Sequence, residues 1–159
     1  MTRFRIIPLS KTYVDRIRET MTDDFNHPVI EQLAMGLGPC RVSLKVFNRG
    51  VDKRLLFTHS PFEVDNAYNQ PGPVFVNADD VEEYKDVHRF PPEIKAEKES
   101  IPLTLIGYND AQMMVLTQLV GDDDIDELIP EIFDNRPDIA FLHARSARAC
   151  CFVCKIVRA

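Results

Sequence analysis

Apolar residues recur every three or four positions in two stretches near the start of the chain. The segment SKTYVDRIRETM (10–21) begins with Ser10, a favourable N-cap residue, and carries an apolar stripe. The segment NHPVIEQLAMGLG (26–38) places Pro28 where the first turn of a helix accepts proline. Both segments are predicted helices, and RFRII (3–7) predicts a short strand before them.

In the middle of the chain the apolar period changes to two, which is typical of strands with one buried face. The segments CRVSLKVF (40–47) and KRLLFTHS (53–60) flank the turn NRG and predict an antiparallel hairpin. A short strand follows at 74–76, after a loop rich in proline. The segments IPLTLIGY (101–108) and QMMVLTQLV (112–120) flank NDA and predict a second hairpin.

Helical spacing of apolar residues returns in DDDIDELIPEIF (122–133), whose aspartates favour the positive N-terminal end of a helix. Pro130 lies inside this pattern and is expected to kink or interrupt the helix. The segment ADDVEEYKDV (78–87) is expected to be a short surface helix. Strands at 139–145 and 151–157 complete the chain as a third hairpin.

Together these elements predict one α+β domain over residues 1–159. Its antiparallel hairpins form a sheet or a partly closed barrel, with two N-terminal helices and one helix before the last hairpin. The charged stretch HRFPPEIKAEKES (88–100) is expected to be a loop. A chain of 159 residues with 45% hydrophobic and 28% charged residues has the composition of an ordinary globular domain.

Charge and hydropathy narrow the classes of partner. The net charge of −6 and the lack of a basic cluster argue against nucleic acid. No stretch approaches the roughly 18 to 20 apolar residues of a membrane span, and the N-terminus lacks the apolar core of a signal peptide. We therefore expect a cytoplasmic protein without membrane contact, whose four cysteines are free thiols.

Common catalytic motifs are missing from the sequence. It has no glycine-rich phosphate loop, no G-x-S-x-G elbow and no H-E-x-x-H helix. The aspartates of DDDIDE lack the glycine and the spacing of a calcium loop. No metal and no cofactor is therefore expected.

The last hairpin holds three of the four cysteines. If Arg145 lies opposite Cys151, one face of the hairpin is wholly apolar and the other carries His143 and Arg145. On a strand Cys151 and Cys154 then point to opposite faces, which disfavours a metal site. Cys150 and Cys154 are interpreted as core residues, whereas Cys151 shares the face of the basic side chains.

Four segments in the same order resemble the domain-of-unknown-function family 1203. They are FRIIPLS near the start, GPCRVSL (38–44), AYNQPGPVFV (67–76) and the C-terminal LHARSARACCFVCKIVRA. The resemblance implies no activity. It therefore supports the fold and the choice of residues rather than a function. By position it selects Cys40, Arg41, Tyr68, Gly72, Pro73, His143, Arg145, Cys151 and Arg158.

The sequence also departs from the family pattern at four positions. Ala67 replaces a proline, Ser146 an asparagine and Cys150 a glycine. Ile106 stands where the pattern has an arginine, so a ligand held by that arginine would bind this chain more weakly or differently.

One pocket lined by polar side chains is the candidate site. The catalytic candidates are Cys151 and His143, as nucleophile or as acid and base. The ligand-binding candidates are Arg41, His59, Tyr68, Gly72 and Arg145, with the arginines as clamps for a small anionic metabolite.

The alternative is a non-catalytic binding or interaction module. In that case the arginines hydrogen-bond loop carbonyls, His143 is a structural residue of the sheet, and a homodimer forms through an exposed strand. Whether the protein is an enzyme stays open at this point.

Overall fold

The computed structural model describes residues 1–159 and has an α+β fold with three helices and eight strands. Both sheets are antiparallel, and the helices are all too short or too polar to cross a membrane. In chain order the elements are β1 (Phe4–Ile7), α1 (Lys11–Thr20), β2 (Ile30–Leu33), β3 (Lys53–His59), β4 (Gly72–Asn77), α2 (Pro92–Ala96), β5 (Leu103–Tyr108), β6 (Met114–Leu119), α3 (Ile125–Asn135), β7 (Phe141–Ser146) and β8 (Phe152–Arg158).

The strands form two open sheets rather than a closed barrel. Five strands pair in the order β1-β8-β7-β5-β6, and three pair in the order β2-β3-β4. The hairpin of β5 with β6 and that of β7 with β8 are both confirmed. The α+β class is therefore confirmed, and of the two predicted architectures the sheet is the one observed.

The five-stranded sheet has two buried faces. Helix α3 packs on one face, where Ile129, Leu105 and Ile156 belong to the main hydrophobic core. The opposite face carries Tyr108 and Phe141, which form a small separate aromatic cluster. Because both faces are covered, a polar side chain on this second face is removed from water.

The predicted helix at 10–21 is confirmed as α1. Ser10 is its N-cap and accepts a hydrogen bond from the backbone N–H of Tyr13. Val14 and Ile17 are buried in the second core, which lies under the three-stranded sheet. The amphipathic pattern of residues 10–21 therefore predicted this helix correctly.

Helix α3 continues through Pro130, so of the two expected effects of the proline, a kink or an interruption, the interruption does not occur. Asp124 caps the helix by accepting from the N–H of Asp126. Pro130 lacks one backbone donor but is itself buried, and the apolar side of the helix, which includes Ile129 and Phe133, packs in the main core. Burial of this apolar side offsets the lost backbone hydrogen bond.

The predicted second helix at 26–38 is wrong, because this segment contributes the edge strand β2. Ile30 pairs with Leu56 and Leu33 with Lys53 of β3. The side chains of Ile30 and Leu33 remain 51% and 46% exposed, whereas Ala34 of the same predicted stripe is buried in the second core. Strand pairing has overridden a helical pattern whose two largest apolar side chains do not pack in a core.

The predicted strand at 40–47 is also wrong, because these residues form a compact turn. Cys40 makes an isolated bridge with Phe75, and Leu44 N–H returns to the carbonyl of Cys40. Leu44 adopts a φ of 54°, which breaks any extended run. The alternation of apolar residues reflects burial of this turn, and β3 pairs with β2 and β4 instead.

Two shorter predictions need correction as well. Residues 78–87 contain no helix. A five-residue helix, α2, lies within 88–100, where a loop was expected, and Pro92 occupies its first turn.

Candidate functional site

The last hairpin is shifted from the predicted register. Arg145 lies opposite Phe152, and His143 lies opposite Lys155, with a bulge next to Arg145. The prediction that Arg145 faces Cys151 is therefore wrong. The bulge turns Val153 into the main core while Phe152 packs on the other face, so both large side chains are buried.

Three polar side chains meet on the second face of the five-stranded sheet. Tyr108 of β5 and His143 and Arg145 of β7 are brought together by the pairing of these strands. Their exposed fractions are 0%, 0% and 5%, respectively. We refer to these three residues as the Arg145 cluster.

Aromatic rings surround His143. Its ring centroid lies 4.9 Å from that of Phe62, 5.0 Å from Tyr108, 5.2 Å from Phe141 and 5.1 Å from Phe152. Burial among these rings, together with the positive charge of the nearby arginine, lowers the pKa of His143 to about 3. The imidazole is therefore neutral at physiological pH.

The Arg145 cluster contains five buried polar atoms without a hydrogen-bond partner in the protein. They are the hydroxyl of Tyr108, both ring nitrogens of His143, and Nε and Nη2 of Arg145. The remaining guanidinium nitrogen, Nη1, donates to the carbonyl of Cys150 at 2.9 Å. Buried polar groups are normally paired, so this concentration at one place is unusual.

The positive charges of Arg145 and of the neighbouring Lys155 are not compensated by acidic residues. Arg145 takes part in no ion pair of the protein, and the same is true of Lys155, whose Nζ lies 4.5 Å from the ring centroid of Phe141. Burial lowers the pKa of the Arg145 guanidinium and raises that of the Tyr108 hydroxyl. The tyrosine is thus a neutral donor beside an arginine that has no carboxylate partner.

Arg41 is buried in a different way, because its hydrogen bonds go to the backbone. It is 1% exposed, and its Nε donates to the carbonyl of Phe152 at 2.7 Å while Nη1 donates to the carbonyl of Pro39. Arg41 therefore ties the turn that contains it to strand β8. This is the structural role that the alternative interpretation assigned to the arginines.

Cys151 is close enough to interact with both Arg41 and Arg145. Electrostatic interaction with its sulfur counteracts the lowering of the pKa of both Arg41 and Arg145, which burial causes. Cys151 and Arg41 also line a cavity of about 300 Å³, together with Ser100, Ser146 and Arg148. Cys151 is therefore the cysteine that combines a basic environment with access to a cavity.

The other cysteines are distributed differently from the prediction. Cys154 is buried, and burial raises the pKa of its thiol to about 12, which fits the predicted core position. Cys150 is exposed at a turn with a φ of 63°, so its assignment to the core is wrong. No group of three or more His, Cys, Asp or Glu side chains is arranged to hold a metal ion.

The remaining candidates lie at the border of the cluster or away from it. The ring of His59 is 5.8 Å from Phe152, its Nδ1 is 3.0 Å from the hydroxyl of Tyr13, and burial lowers its pKa to about 4. Tyr68 places its ring 6.5 Å from that of Tyr108. Gly72 starts β4 opposite His59 and contributes no side chain.

Two residues of the site, Tyr108 and Phe62, were not among the candidates predicted from the sequence. Tyr108 ends the strand IPLTLIGY, and its alternation with Ile106 could have placed both on one face. Phe62 is a loop residue, and nothing in the sequence indicates that its ring returns to the sheet.

Comparison with known proteins gives one match. A family model described as "Protein of unknown function (DUF1203)" matches residues 38–158. Searches of curated proteins and of solved structures found no significant match. The matched range includes the Arg145 cluster, Arg41 and all four cysteines.

Proposed function

The chain belongs to the DUF1203 family of proteins of unknown function, and from this premise we propose that it binds a small organic anion at the Arg145 cluster. The ligand class is a carboxylate or a phosphate ester. We place this binding in the cytoplasm, where the four thiols, which form no disulfide, stay reduced.

The observation that carries the proposal is the free edge of Arg145. Nε and Nη2 lie on the same side of a guanidinium, and their two N–H groups form the fork that binds a carboxylate or phosphate side-on. Both atoms are buried and make no well-aligned hydrogen bond in the protein, although the Tyr108 hydroxyl lies within interaction range of the guanidinium, whereas Nη1 is fixed by the carbonyl of Cys150. The edge that suits an anion is therefore the edge that the protein does not use.

Electrostatics favours the same class of ligand. A buried cation without a counter-charge is costly, and an anion that pairs with it removes that cost. Lys155 lies opposite His143 across the hairpin and adds a second positive charge without an acidic partner. A cationic or purely apolar ligand would leave these charges uncompensated.

Tyr108 and His143 supply the further polar contacts. The hydroxyl of Tyr108 is a donor, and the neutral imidazole offers one donor and one acceptor. Because burial lowers the pKa of His143 to about 3, its ring is uncharged and a weak base near neutral pH. The site therefore supports binding through His143 rather than acid–base catalysis by it, and thiol chemistry rests on Cys151 alone.

The alternative, a module whose polar residues are structural, is favoured by one observation. The Nε and Nη1 atoms of Arg41 both donate hydrogen bonds to backbone carbonyls. If Arg145 has the same role, its free edge has no ligand, and no anion stabilises the folded protein through it.

Thermal unfolding of the full chain in acetate or phosphate, against sodium chloride at equal ionic strength, distinguishes the two. Ligand binding to the native state raises the melting temperature with concentration. We expect such a rise in the wild type and its loss in Arg145→Lys, which keeps the charge but lacks the fork. Arg49→Lys, at an exposed position away from the last hairpin, is the matched control. An anion effect that is absent, or equal in Arg145→Lys, contradicts the proposal.

A further inference from the structure

We propose that residues 60–71 form a lid over the Arg145 cluster, that Phe62 occupies the place of the ligand, and that the ligand is a carboxylate bearing an aromatic ring. This inference rests on the proposed function and specifies its substrate class. We call residues 60–71 the lid loop.

The lid loop is a nearly self-contained unit. It connects β3 to β4, whose terminal residues His59 and Gly72 are paired, so its two ends lie next to each other. Ser60 donates to the side chain of Asn69, and Tyr68 N–H donates to Asn66 Oδ1 at 2.8 Å. These bonds hold the loop in shape without fixing it to the rest of the molecule.

Contact between the lid loop and the sheet is made chiefly by two rings. Its one hydrogen bond to the rest of the protein runs from Asn66 Nδ2 to the carbonyl of Gln112 at 3.4 Å. Phe62 and Tyr68 are the loop residues whose rings pack on the aromatic cluster of the sheet. Opening the loop therefore breaks a few contacts and leaves both sheets intact.

Phe62 packs directly against two rings of the site. Its ring centroid is 4.9 Å from that of Tyr108, with the planes at 89°, and 4.9 Å from that of His143, with the planes at 62°. Both contacts have the edge-to-face geometry that aromatic rings prefer. Tyr108 in turn borders Arg145, whose positive charge and hydrogen-bonding contact with the Tyr108 hydroxyl oppose the rise in the pKa of that hydroxyl that burial causes.

The identity of the ligand follows from this arrangement. The cluster is buried, so an anion reaches Arg145 only when the lid loop moves and Phe62 leaves. Its departure exposes a site shaped by a phenyl ring, bordered by the hydroxyl of Tyr108 and the free edge of Arg145. A carboxylate that bears an aromatic ring restores the edge-to-face contacts and also pairs with Arg145. Acetate pairs with Arg145 but cannot restore the aromatic contacts.

The test compares three probes by isothermal calorimetry on the full chain: benzoate, cyclohexanecarboxylate and acetate. We expect wild-type affinity to fall at least threefold at each step in that order. In Phe62→Ala the ring no longer has to be displaced, and the ring of benzoate fills its space, so we expect at least tenfold tighter benzoate binding. Acetate binding should also become tighter, because acetate too is freed from displacing Phe62, and it should stay weaker than benzoate binding. Phe62→Leu gives the same trend if the alanine variant does not fold. Phe25→Ala, which removes a 39% exposed ring elsewhere, should leave all three affinities unchanged.

The possible results separate this inference from the proposed function. Equal, Arg145-dependent binding of all three probes overturns the aromatic ligand and leaves anion binding in place. Benzoate binding that weakens in Phe62→Ala overturns the displacement of Phe62, because its ring is then a contact of the ligand. Failure of every probe to bind the wild type and both Phe62 variants overturns the inference and the proposed function together.

Discussion

The guanidinium of Arg145 is oriented by the carbonyl of Cys150, which accepts a 2.9 Å hydrogen bond from Nη1. The backbone N–H of Cys150 in turn donates to the carbonyl of Ser146, so the turn of the last hairpin holds the arginine. A backbone carbonyl directs the cation without neutralising it. The last hairpin thus holds a buried positive charge that forms no ion pair within the protein.

Removal of this charge is expected to leave the folded protein more stable. In Arg145→Met a flexible apolar side chain replaces an unpaired buried cation, and burial of the charge is no longer penalised. We predict that the free energy of unfolding in urea, without added carboxylate or phosphate, rises by about 1 kcal/mol.

Arg41→Met is the matched control, because both arginines are buried but only Arg41 gives its nitrogens mainly to the backbone. The substitution leaves the carbonyls of Phe152 and Pro39 without their donors. We predict a loss of about 2 to 4 kcal/mol in the same measurement. Changes of the same sign in the two variants would show that the arginines have equivalent roles.

Stability is predicted to fall between pH 7 and pH 5 because of buried histidines. The pKa of His143 is about 3 in the folded protein, below its ordinary value of 6.5, so the unfolded chain binds more protons in this range. Its contribution is fully present above about pH 6.5 and decreases as the pH falls toward 3. We expect His143 alone to cost about 2 kcal/mol at pH 5 relative to pH 7.

Urea unfolding of His143→Phe at both pH values isolates this contribution. His59 shifts in the same direction, with a pKa of about 4, so the variant keeps part of the pH dependence. The predicted difference between pH 7 and pH 5 is smaller in His143→Phe than in the wild type, whereas His88→Gln, at an exposed site without an acidic partner, behaves as the wild type. An identical difference in all three proteins would contradict a buried neutral His143.

Cys151 is predicted to prefer anionic electrophiles. It lies beside two guanidiniums and lines a cavity, whereas Cys150 is exposed at the turn. The ratio of the iodoacetate rate to the iodoacetamide rate, measured by mass spectrometry, should be higher at Cys151 than at Cys150. Cys154 should not react in the folded protein, because its thiol is buried.

Arg145→Ala provides the comparison for Cys151. Loss of one of the two positive charges should lower the iodoacetate preference at Cys151 and leave Cys150 much less affected. If Cys151 reacts no faster than Cys150 and the substitution changes neither rate, Cys151 has no role as a nucleophile.

Local patterns predicted the elements that carry the site. The two hairpins that contain Tyr108 and His143 were predicted from apolar residues at every second position. Helix α3 was predicted from apolar residues at helical spacing. Alternation along β7 also placed His143 and Arg145 on one face. Each of these features depends only on the order of side chains within one strand or helix, and this order can be read from the sequence.

Features that depend on tertiary contacts could not be predicted in this way. The bulge that turns Val153 into the core depends on the space available on both faces of β8. The return of Phe62 to the sheet depends on the path of a loop that has no periodic pattern. Likewise, 26–38 has the spacing of a helix and becomes a strand because β3 offers an edge.

Gly107 is predicted to be required for the packing of β5 next to Tyr108. A Cβ at this position would lie 2.8 Å from Cδ1 of Ile139 and 3.1 Å from Cβ of Leu116. Both neighbours belong to or pack against the main core and have little freedom to move. We expect Gly107→Ala to lower the free energy of unfolding by about 1 to 3 kcal/mol.

The displaced strand would also change the binding site, since Gly107 lies between Ile106 and Tyr108. We therefore expect Gly107→Ala to weaken the melting-temperature rise caused by benzoate, in proportion to the shift of the Tyr108 hydroxyl. Gly36→Ala is the control, because a Cβ at Gly36 meets no atom within 4 Å and its φ is not positive. Its unfolding free energy should stay the same or rise by less than about 1 kcal/mol, through reduced entropy of the unfolded chain. Equal destabilisation by the two substitutions would show that loss of glycine flexibility, and not the contact with Ile139, determines the effect.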